Sequence, residues 1–400
     1  MRVLTVGNMY PPHHHGGYEL VWESAVEHLR ARGHEVRVLT TDTRTDTVET
    51  DGPDVHRELR WPLRDARLQP LGKRERVVLA RHNHRTLDRH LREQRPEVVA
   101  WWSMGGLSLT LLETVRRRGL PAVAFVHDDW LDYGRWADRW LHTFRGRRAR
   151  LAPVAERLFG IPAHVDFDGA ARYVFVSERT RRHALGCGLA LGRTAVAHSG
   201  IHEDFLDPAP VEDWRWRLLY VGRLDARKGV DTAVAAMAHL PDEARLELIG
   251  GWDAAEEDRL RDLARGIGVE ARVELAGQQD RREIAAAYAR ADATVFPVRW
   301  EEPWGLVPLE SMAKGRPVVA TGRGGSAEYL SDGENCLLFE AGDAEGLAAA
   351  VHRLAADPAL RARLRDGGLE TAPGHTEAML NEAVENALLD AAGMRPAAVA

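Results

Sequence analysis

A short run of apolar residues, a loop and then an amphipathic helix recur along almost the whole of this 400-residue chain. In the first half, RVLTVGN leads to a helical pattern over 18–32, and EVRVLTT gives the next strand. The second half starts the same order again with RLLYVG and a helical pattern over 230–240. Continuous apolar strands that alternate with helices are typical of a parallel sheet covered on both faces. The pattern therefore predicts an α/β protein made of two similar halves.

The length of the chain also favours two domains, because a single hydrophobic core rarely grows past about 250 residues. The predicted break lies near residue 205, where glycine, two prolines and acidic residues separate a strand from RLLYVG. We therefore predict a domain over 1–205 and a second over 206–375. A last helix over 376–392 is expected to pack back on the first domain.

Charge is divided unevenly between the halves. Counting Lys and Arg against Asp and Glu gives +8 for residues 1–200 and −14 for residues 201–400, so the basic half is expected to meet an anionic or membrane-bound partner. Cys187 and Cys336 are too few for a disulfide framework, and both are predicted to be buried apolar groups. The start lacks a signal-peptide pattern, and no run of about 18 apolar residues follows, so we expect a cytoplasmic protein.

Loops that follow strands contain the candidate functional residues, because ligands of open parallel sheets bind at the carboxyl ends of the strands. Gly16 and Gly17 stand between a strand and a helix, where their N–H groups could approach a phosphate; a merely tight turn is the alternative. Arg223 and Lys228 follow the strand RLLYVG and could both reach a diphosphate, unless they are solvated surface charges. His127 directly follows the strand AVAFV.

A further loop, in RWEEPWGLVPLESMAKG, holds two carboxylates. Glu302 precedes a turn and Glu310 falls on the helix after it, so both can line one cleft. Gly305 and Leu306 would offer free N–H groups at the start of this helix. Helix capping or surface ion pairing is the alternative for the two glutamates.

Three other segments suggest binding sites. Adjacent ligands cannot easily converge on one ion, so the histidines 13–15 are interpreted as a solvated loop. Asp166-Phe167-Asp168 matches an Asp-x-Asp metal motif but precedes a strand. The run RGRRAR over 145–150, near Trp130, Trp136 and Trp140, is either a surface for a membrane or anionic acceptor, or a solvated basic loop. Nucleic acid is not expected as a partner, since no reading module accompanies the charge.

Taken together, these segments resemble the family 4 retaining glycosyltransferases. The resemblance rests on Glu302 and Glu310 with seven residues between them, on GGSAEYL after them, and on the glycine pair, His127, SGI and VGRLDARKG. It covers nearly the whole chain and implies the GT-B fold, in which two Rossmann-like doubly wound domains face each other across a cleft. Asn335-Cys336 departs from the family's usual Asn-Gly, which we expect to change only a turn.

The resemblance also implies roles for the candidate residues. Arg223 and Lys228 would neutralise the donor diphosphate, Glu310 would hold the donor ribose, and Glu302 would meet the sugar hydroxyls. The glycine pair would close over the diphosphate, and His127 would lie at the donor sugar and acceptor. No metal or other cofactor is implied, since fixed cations and N–H groups can stabilise the leaving diphosphate.

The resemblance thus implies transfer of a sugar from a UDP- or GDP-type donor, with retention of anomeric configuration, by front-face attack. The acceptor is a hydroxyl of a glycan, a lipid-linked glycan or a secondary metabolite, held mainly by the basic N-terminal half. Peripheral contact of this half with the inner membrane face is a further possibility. A retaining phosphorylase of the same fold and a catalytically idle nucleotide-binding subunit are the alternatives. The donor base, the sugar and the oligomeric state are not identified by the sequence.

Overall fold

A computed structural model of the protein describes residues 1–14, 16–45, 50–64, 67–252 and 254–394. It divides the chain into two compact units, one made of Met1–His198 with the segment from Leu380 onward, and one made of Ser199–Met379. The sequence had placed the break near residue 205. None of the helices in the described ranges is long and apolar enough to span a bilayer.

The first unit is built on a seven-stranded, all-parallel sheet with the order β3-β2-β1-β6-β7-β8-β9. Its strands are β1 (Arg2–Val6), β2 (Glu35–Thr41), β3 (Val55–Leu59), β6 (Val98–Trp101), β7 (Ala122–Val126), β8 (Arg172–Phe175) and β9 (Thr194–Val196). A separate antiparallel pair consists of β4 (Leu63–Arg64) and β5 (Arg67–Leu68). The predicted parallel sheet is confirmed, and β3 is a strand that the sequence pattern did not reveal.

Helices cover both faces of this sheet. They are α1 (Gly17–Ala31), α2 (Lys73–Gln94), α3 (Thr110–Arg117), α4 (Trp130–Ala137), α5 (Arg139–Thr143), α6 (Ala152–Phe159), α7 (Phe167–Ala170), α8 (Glu178–Gly186) and the late α15 (Glu377–Ala391). Alternate residues of β1 enter opposite cores, Leu4 and Val6 on one face and Val3 on the other, as the two-residue period of a strand requires.

The late helix α15 packs within the first unit. Leu380, Val384 and Leu388, spaced by one helical turn, lie in the same apolar cluster as Val3. On the same helix, the buried carboxylate of Glu385 accepts hydrogen bonds from the rings of His28 at 3.0 Å and His34 at 2.9 Å. These bonds lower the pKa of Glu385 against the opposing effect of burial. An apolar stripe and a buried, hydrogen-bonded carboxylate therefore hold the end of the chain to this unit.

The second unit repeats the plan with a six-stranded, all-parallel sheet in the order β12-β11-β10-β13-β14-β15. Its strands are β10 (Arg217–Val221), β11 (Arg245–Ile249), β12 (Val273–Gly277), β13 (Ala293–Phe296), β14 (Val318–Ala320) and β15 (Leu337–Leu338). Its helices are α9 (Val230–Ala236), α10 (Ala254–Gly266), α11 (Arg281–Arg290), α12 (Val307–Ala313), α13 (Ala344–Ala356) and α14 (Pro358–Thr371). Both units are therefore Rossmann-like.

Candidate functional site

Each sheet reverses its strand order at one point, and most of the predicted site residues follow the strands beside it. In the first unit the reversal lies between β1 and β6, and the loop after β1 leads to Gly16 and Gly17 at the start of α1, whereas His127 follows β7. In the second unit it lies between β10 and β13, whose following loops contain Arg223, Lys228 and Glu302. Crevices at such reversal points are where doubly wound sheets bind ligands.

The second unit brings Lys228 and Glu302 into direct contact. Lys228 Nζ donates to Glu302 Oε2 at 2.7 Å, and Trp300 Nε1 donates to the same oxygen at 2.7 Å. Lys228 Nζ also lies 5.5 Å from the centre of the Trp300 ring, within the range of a cation–π contact. Glu302 is only 8% exposed, so its carboxylate is fixed, and two of the three ammonium protons remain for a ligand.

The Arg223 side chain is placed differently from that of Lys228. It is about half exposed, and its guanidinium lies 3.9 Å from the carboxylate of Asp225. Asp225 is more firmly engaged with Arg227, which donates to it through the main chain at 2.9 Å and through the guanidinium at 3.2 Å. Arg223 is therefore a cation at the rim of the site, able to turn toward an arriving anion.

A glycine pair holds the main chain of Glu302 in place. Gly324 has a φ of +74°, and a Cβ added there would lie 2.3 Å from Glu302 N. The next residue, Gly325, donates its N–H to Glu302 O at 2.6 Å. A side chain at position 324 would therefore displace the loop that carries the carboxylate, which gives a physical reason for the GGS sequence.

Glu310 has a different environment from Glu302. It lies on α12, and its Oε2 accepts a hydrogen bond of 2.8 Å from Tyr288 OH. Burial raises the pKa of Glu310 to about 7, and the bond from Tyr288 only partly opposes this shift. Glu310 therefore changes its charge near neutral pH, whereas an ordinary glutamate is fully ionised there.

Tyr329 connects the surroundings of the two glutamates. Burial raises the pKa of its phenol, and the negative charges of Glu302 and Glu310 raise it further. Its hydroxyl donates to the carbonyl oxygen of Gly305, in the turn before α12. Leu306 is the cap residue of this helix. Tyr329 thus fixes the turn between the two carboxylates, and the charge of each carboxylate raises its pKa.

In the first unit, the glycine pair forms the start of α1. Gly16 is the cap residue, and its N–H donates to the Glu19 carboxylate at 3.0 Å. A Cβ added to Gly17 would meet no atom within 4 Å. Gly17 is therefore free of close contacts on the side where a side chain would stand, and an anion at the N–H of Gly16 would have to displace the Glu19 carboxylate.

His127 lies at the end of β7 in an aromatic setting. Its ring stacks on Tyr18 with centroids 4.9 Å apart and is tilted against Trp102 at 5.8 Å. Burial lowers the pKa of His127 to about 3, so the imidazole is neutral at pH 7. Beside it, burial raises the pKa of Asp128 to about 6, although bonds from Tyr133 OH and the Trp130 N–H act against the shift. His127 and Asp128 can therefore hold a polar ligand by hydrogen bonds.

The interpretation of the histidines 13–15 as a solvated loop is wrong for His13. That side chain is 2% exposed, because it packs against the 44–45 segment. Its Nδ1 accepts from Thr45 N at 3.1 Å, and its Nε2 lies 3.1 Å from Arg44 Nη1. Both ring nitrogens are thus engaged by protein. His15 lies outside the described residues.

Local geometry gives roles to Asp166 and to the two cysteines. Asp166 of the Asp-x-Asp match caps α7, where its carboxylate accepts from Gly169 N at 3.3 Å, which is a structural role. Cys336 is fully buried as predicted, whereas Cys187 is partly exposed, because it lies just beyond the end of α8.

The basic run forms part of a pocket in the first unit. The pocket has a volume of about 420 Å³. It is lined by Arg76, Arg139, His142, Thr143, Arg145, Arg147 and Arg148. Of the three neighbouring tryptophans, Trp130 is fully buried, whereas Trp136 is 57% exposed and stacks under Arg145 at 4.6 Å.

Sequence reasoning missed two residues of the second unit's site. Trp300 stands two positions before Glu302 in the same loop, so the RWEE segment itself contained the signal. Tyr288 lies on α11, 22 residues from its partner Glu310. No spacing rule joins these two residues, and only the packing of α11 against α12 brings them together.

Each half of the chain matches a family of glycosyltransferases. Residues 205–371 match the family described as glycosyl transferases group 1, and residues 15–205 match glycosyltransferase family 4. The chain is 41% identical, over 179 residues, to the lipopolysaccharide core biosynthesis glycosyltransferase LpsE of Rhizobium meliloti. That alignment covers 45% of this chain and 50% of LpsE, so the chain spans about half of this curated relative.

Two solved structures are similar over nearly the whole chain. Sucrose-phosphate synthase from Thermosynechococcus elongatus superposes with a TM-score of 0.72 at 23% identity, covering 96% of this chain and 97% of that one. HepE from Anabaena, in complex with UDP and glucose, gives 0.70 at 18% identity, covering 97% and 99%. At such identities the likeness establishes the fold, which is GT-B.

Proposed function

The chain belongs to the family 4 type of glycosyltransferases, and from this we propose that it transfers a sugar from a nucleotide-diphosphate donor to an acceptor hydroxyl. The observation that carries the proposal is the contact between Lys228 and Glu302 at the reversal point of the second sheet. A fixed ammonium beside a fixed carboxylate offers one group for a diphosphate and one for sugar hydroxyls.

The donor diphosphate would bind between the two cations of the second unit. Lys228 is held by Glu302, so it is already oriented when the anion arrives, and Arg223 at the rim can turn to meet it. The N–H groups of Gly305 and Leu306 at the start of α12 add to this positive field. Such preorganised donors stabilise a leaving phosphate without a divalent metal, which is the metal-independent chemistry we propose.

Glu310 and Glu302 would hold the two sugar rings of the donor. The Glu310 carboxylate can accept hydrogen bonds from ribose hydroxyls, while its Oε2 also accepts the bond from Tyr288 OH. On Glu302 both protein donors bind Oε2, so Oε1 is the oxygen that would accept hydrogen bonds from the transferred sugar. We propose retention of configuration by front-face attack, with the leaving phosphate taking the acceptor proton.

The first unit would contribute the acceptor side. His127, neutral at pH 7, can donate or accept a hydrogen bond to a sugar hydroxyl, and the ring of Tyr18 supports it from below. Gly17, an exposed residue at the start of α1, would direct its N–H to a phosphate. The acceptor class we propose is a glycan, a lipid-linked glycan or a natural product.

A panel of nucleotide sugars tests the proposal. We expect one UDP- or GDP-sugar to release its nucleoside diphosphate, at the same rate with and without chelator, and NMR of the product to show retained configuration. Sugar phosphate release that depends on inorganic phosphate would instead establish a phosphorylase. Nucleotide binding by calorimetry without turnover across the panel would establish an idle binding subunit.

The first unit also carries a surface that suits peripheral membrane contact. Beside the arginine-lined pocket, Leu151, Val154 and Leu158 are 55%, 59% and 68% exposed. Their spacing of three and four residues places them on one face of the helical run that ends with α6. Exposed apolar groups next to clustered arginines fit an anionic bilayer, so we propose this as the face of peripheral contact.

Vesicle sedimentation tests the membrane contact. We expect the protein to bind phosphatidylglycerol vesicles better than phosphatidylcholine vesicles, with less binding at higher salt because the arginine contribution is screened. Leu151→Ser with Leu158→Ser should abolish the binding, whereas Met379→Ser, at an apolar position of the second unit that is 52% exposed, should not. Equal binding by both variants would refute the assignment.

A further inference from the structure

Three side chains of different type converge on one point of the first unit, away from the residues assigned above. Asp132 lies on α4, His183 on α8, and Cys187 directly beyond α8. His183 Nε2 is 3.4 Å from Asp132 Oδ2 and 3.8 Å from Cys187 Sγ. All three ligand atoms lie within 4.8 Å of one another, and all three side chains are partly exposed. We call them the Asp-His-Cys cluster.

We propose that the Asp-His-Cys cluster binds a zinc ion. Zn²⁺ forms tetrahedral bonds of about 2.3 Å to sulfur and about 2.0 Å to nitrogen and oxygen, so its S and N ligands lie about 3.5 Å apart and its N and O ligands about 3.3 Å apart. The corresponding separations here are 3.8 Å and 3.4 Å. A zinc ion can therefore enter with small side-chain movements, and the open fourth position would take water.

The charges around the cluster suit this ion. Cys187 loses its proton to solvent as the metal–sulfur bond forms, so thiolate and carboxylate together balance the two positive charges. Arg135 donates to Asp132 Oδ1 at 3.3 Å and to Cys187 O at 3.2 Å. It therefore leaves Oδ2 toward the metal and fixes the orientation of the carboxylate, as outer-shell partners of metal ligands do.

A second group of the same size in the described ranges provides a contrast. His56, Glu58 and His90 also come together, with both histidine contacts to Glu58 at 3.4 Å. However, the guanidinium of Arg89 occupies Glu58 Oε2, which is also the oxygen that His90 approaches. A cation already stands where the metal would bind, so this group is an ion-paired cluster.

The expected consequence of zinc binding is a clamp between α4 and α8. The α4 helix begins at Trp130, three residues after His127, and Arg179 on α8 already holds Asp129 at 2.6 Å. An ion at the cluster would fix both helices at a second point. The proposed ion joins two helices and does not depend on the proposed sugar transfer or supply any part of it.

Cobalt titration tests the site, because Co²⁺ bound to thiolate absorbs in the near ultraviolet. In the reduced 400-residue protein we expect this band to saturate at about one equivalent of Co²⁺ and to disappear when Zn²⁺ is added. Cys187→Ser should abolish the band, and His183→Asn should weaken Co²⁺ binding about 10-fold or more. His56→Ala is the matched control and should titrate like the wild type.

Thermal unfolding gives a readout that does not rely on colour. Zn²⁺ should raise the melting temperature of the wild type and of His56→Ala, but not that of Cys187→Ser, since a ligand stabilises only a state that binds it. The proposal would be overturned by a near-ultraviolet band that persists in Cys187→Ser, or by the lack of a band in the wild type. It would also be overturned if Zn²⁺ raised the melting temperature of the wild type and of Cys187→Ser equally. Transfer activity is not used as a readout, so failure of the proposed function leaves this test intact.

Discussion

Replacing Lys228 by methionine is expected to lower kcat/KM for sugar transfer by about 10²- to 10³-fold, the loss typical when a preorganised donor to a developing anion is removed. The Lys228 ammonium lies 2.7 Å from Glu302 Oε2 and is oriented before the donor arrives. Methionine keeps the length of the side chain but has no charge to meet the diphosphate. Steady-state kinetics with the best nucleotide sugar measures the effect.

Arg227 provides the matched control for this substitution. It belongs to the same short 3-10 turn as Lys228, stacks on the same Trp300 ring at 5.0 Å and is exposed. Arg227→Met should change kcat/KM by less than about 3-fold, because an exposed ion pair contributes little. Comparable losses in both variants would mean that general positive charge, and not the position of Lys228, matters.

Methionine at position 228 also leaves the buried Glu302 carboxylate without its ammonium partner, which would destabilise the fold. The melting temperature of Lys228→Met therefore has to be measured beside its kinetics. Lys228→Arg keeps the charge and should retain more activity than Lys228→Met. If Lys228→Met is folded and transfers sugar at the wild-type rate, the diphosphate role is refuted.

Replacing Glu310 by glutamine is expected to remove a pH dependence of donor binding. The pKa of Glu310 is about 7, and its carboxylate form accepts ribose hydroxyls better than its protonated form. The donor KM of the wild type should therefore rise as the pH falls through 7. In Glu310→Gln the donor KM should be about 10-fold higher at pH 8, the loss of one charge-assisted bond, and nearly constant with pH.

The same substitution should stabilise the protein in alkali. An unfolded glutamate binds its proton near pH 4.5, whereas folded Glu310 does so near 7. Between these values the folded state binds more protons, so the stability contributed by this group falls as the pH rises through the window. Glu310→Gln should melt at a higher temperature than the wild type at pH 8, and at about the same temperature at pH 5.

Tyr288→Phe separates the charge of Glu310 from its shape. The Tyr288 hydroxyl stabilises the Glu310 carboxylate, so its removal should raise the pKa of Glu310 further. The rise of the donor KM in acid should then begin at higher pH than in the wild type. An unchanged profile in both Tyr288→Phe and Glu310→Gln would show that another group controls donor binding.

The sequence by itself determined the elements of the sheets and the positions of the loops that carry charge. The strand predicted at EVRVLTT has the bounds Glu35–Thr41, and the helix predicted over 230–240 begins at Val230, because hydrophobic period and turn residues are local signals. Among other elements, it did not reveal β3, β15, α2, α13 or α14. In β3 most side chains are only partly buried, so its apolar pattern is weak.

Tertiary structure alone decided what each candidate group can do. Glu302 and Glu310 are the same residue type eight positions apart. Glu302 is paired with the Lys228 ammonium, whereas burial raises the pKa of Glu310 to about 7. The partners, Lys228 and Tyr288, come from elements distant in sequence, and burial depends on every neighbour at once. The sequence thus determined which residues reach the ends of the strands, and packing decided their charge, their orientation and their partners.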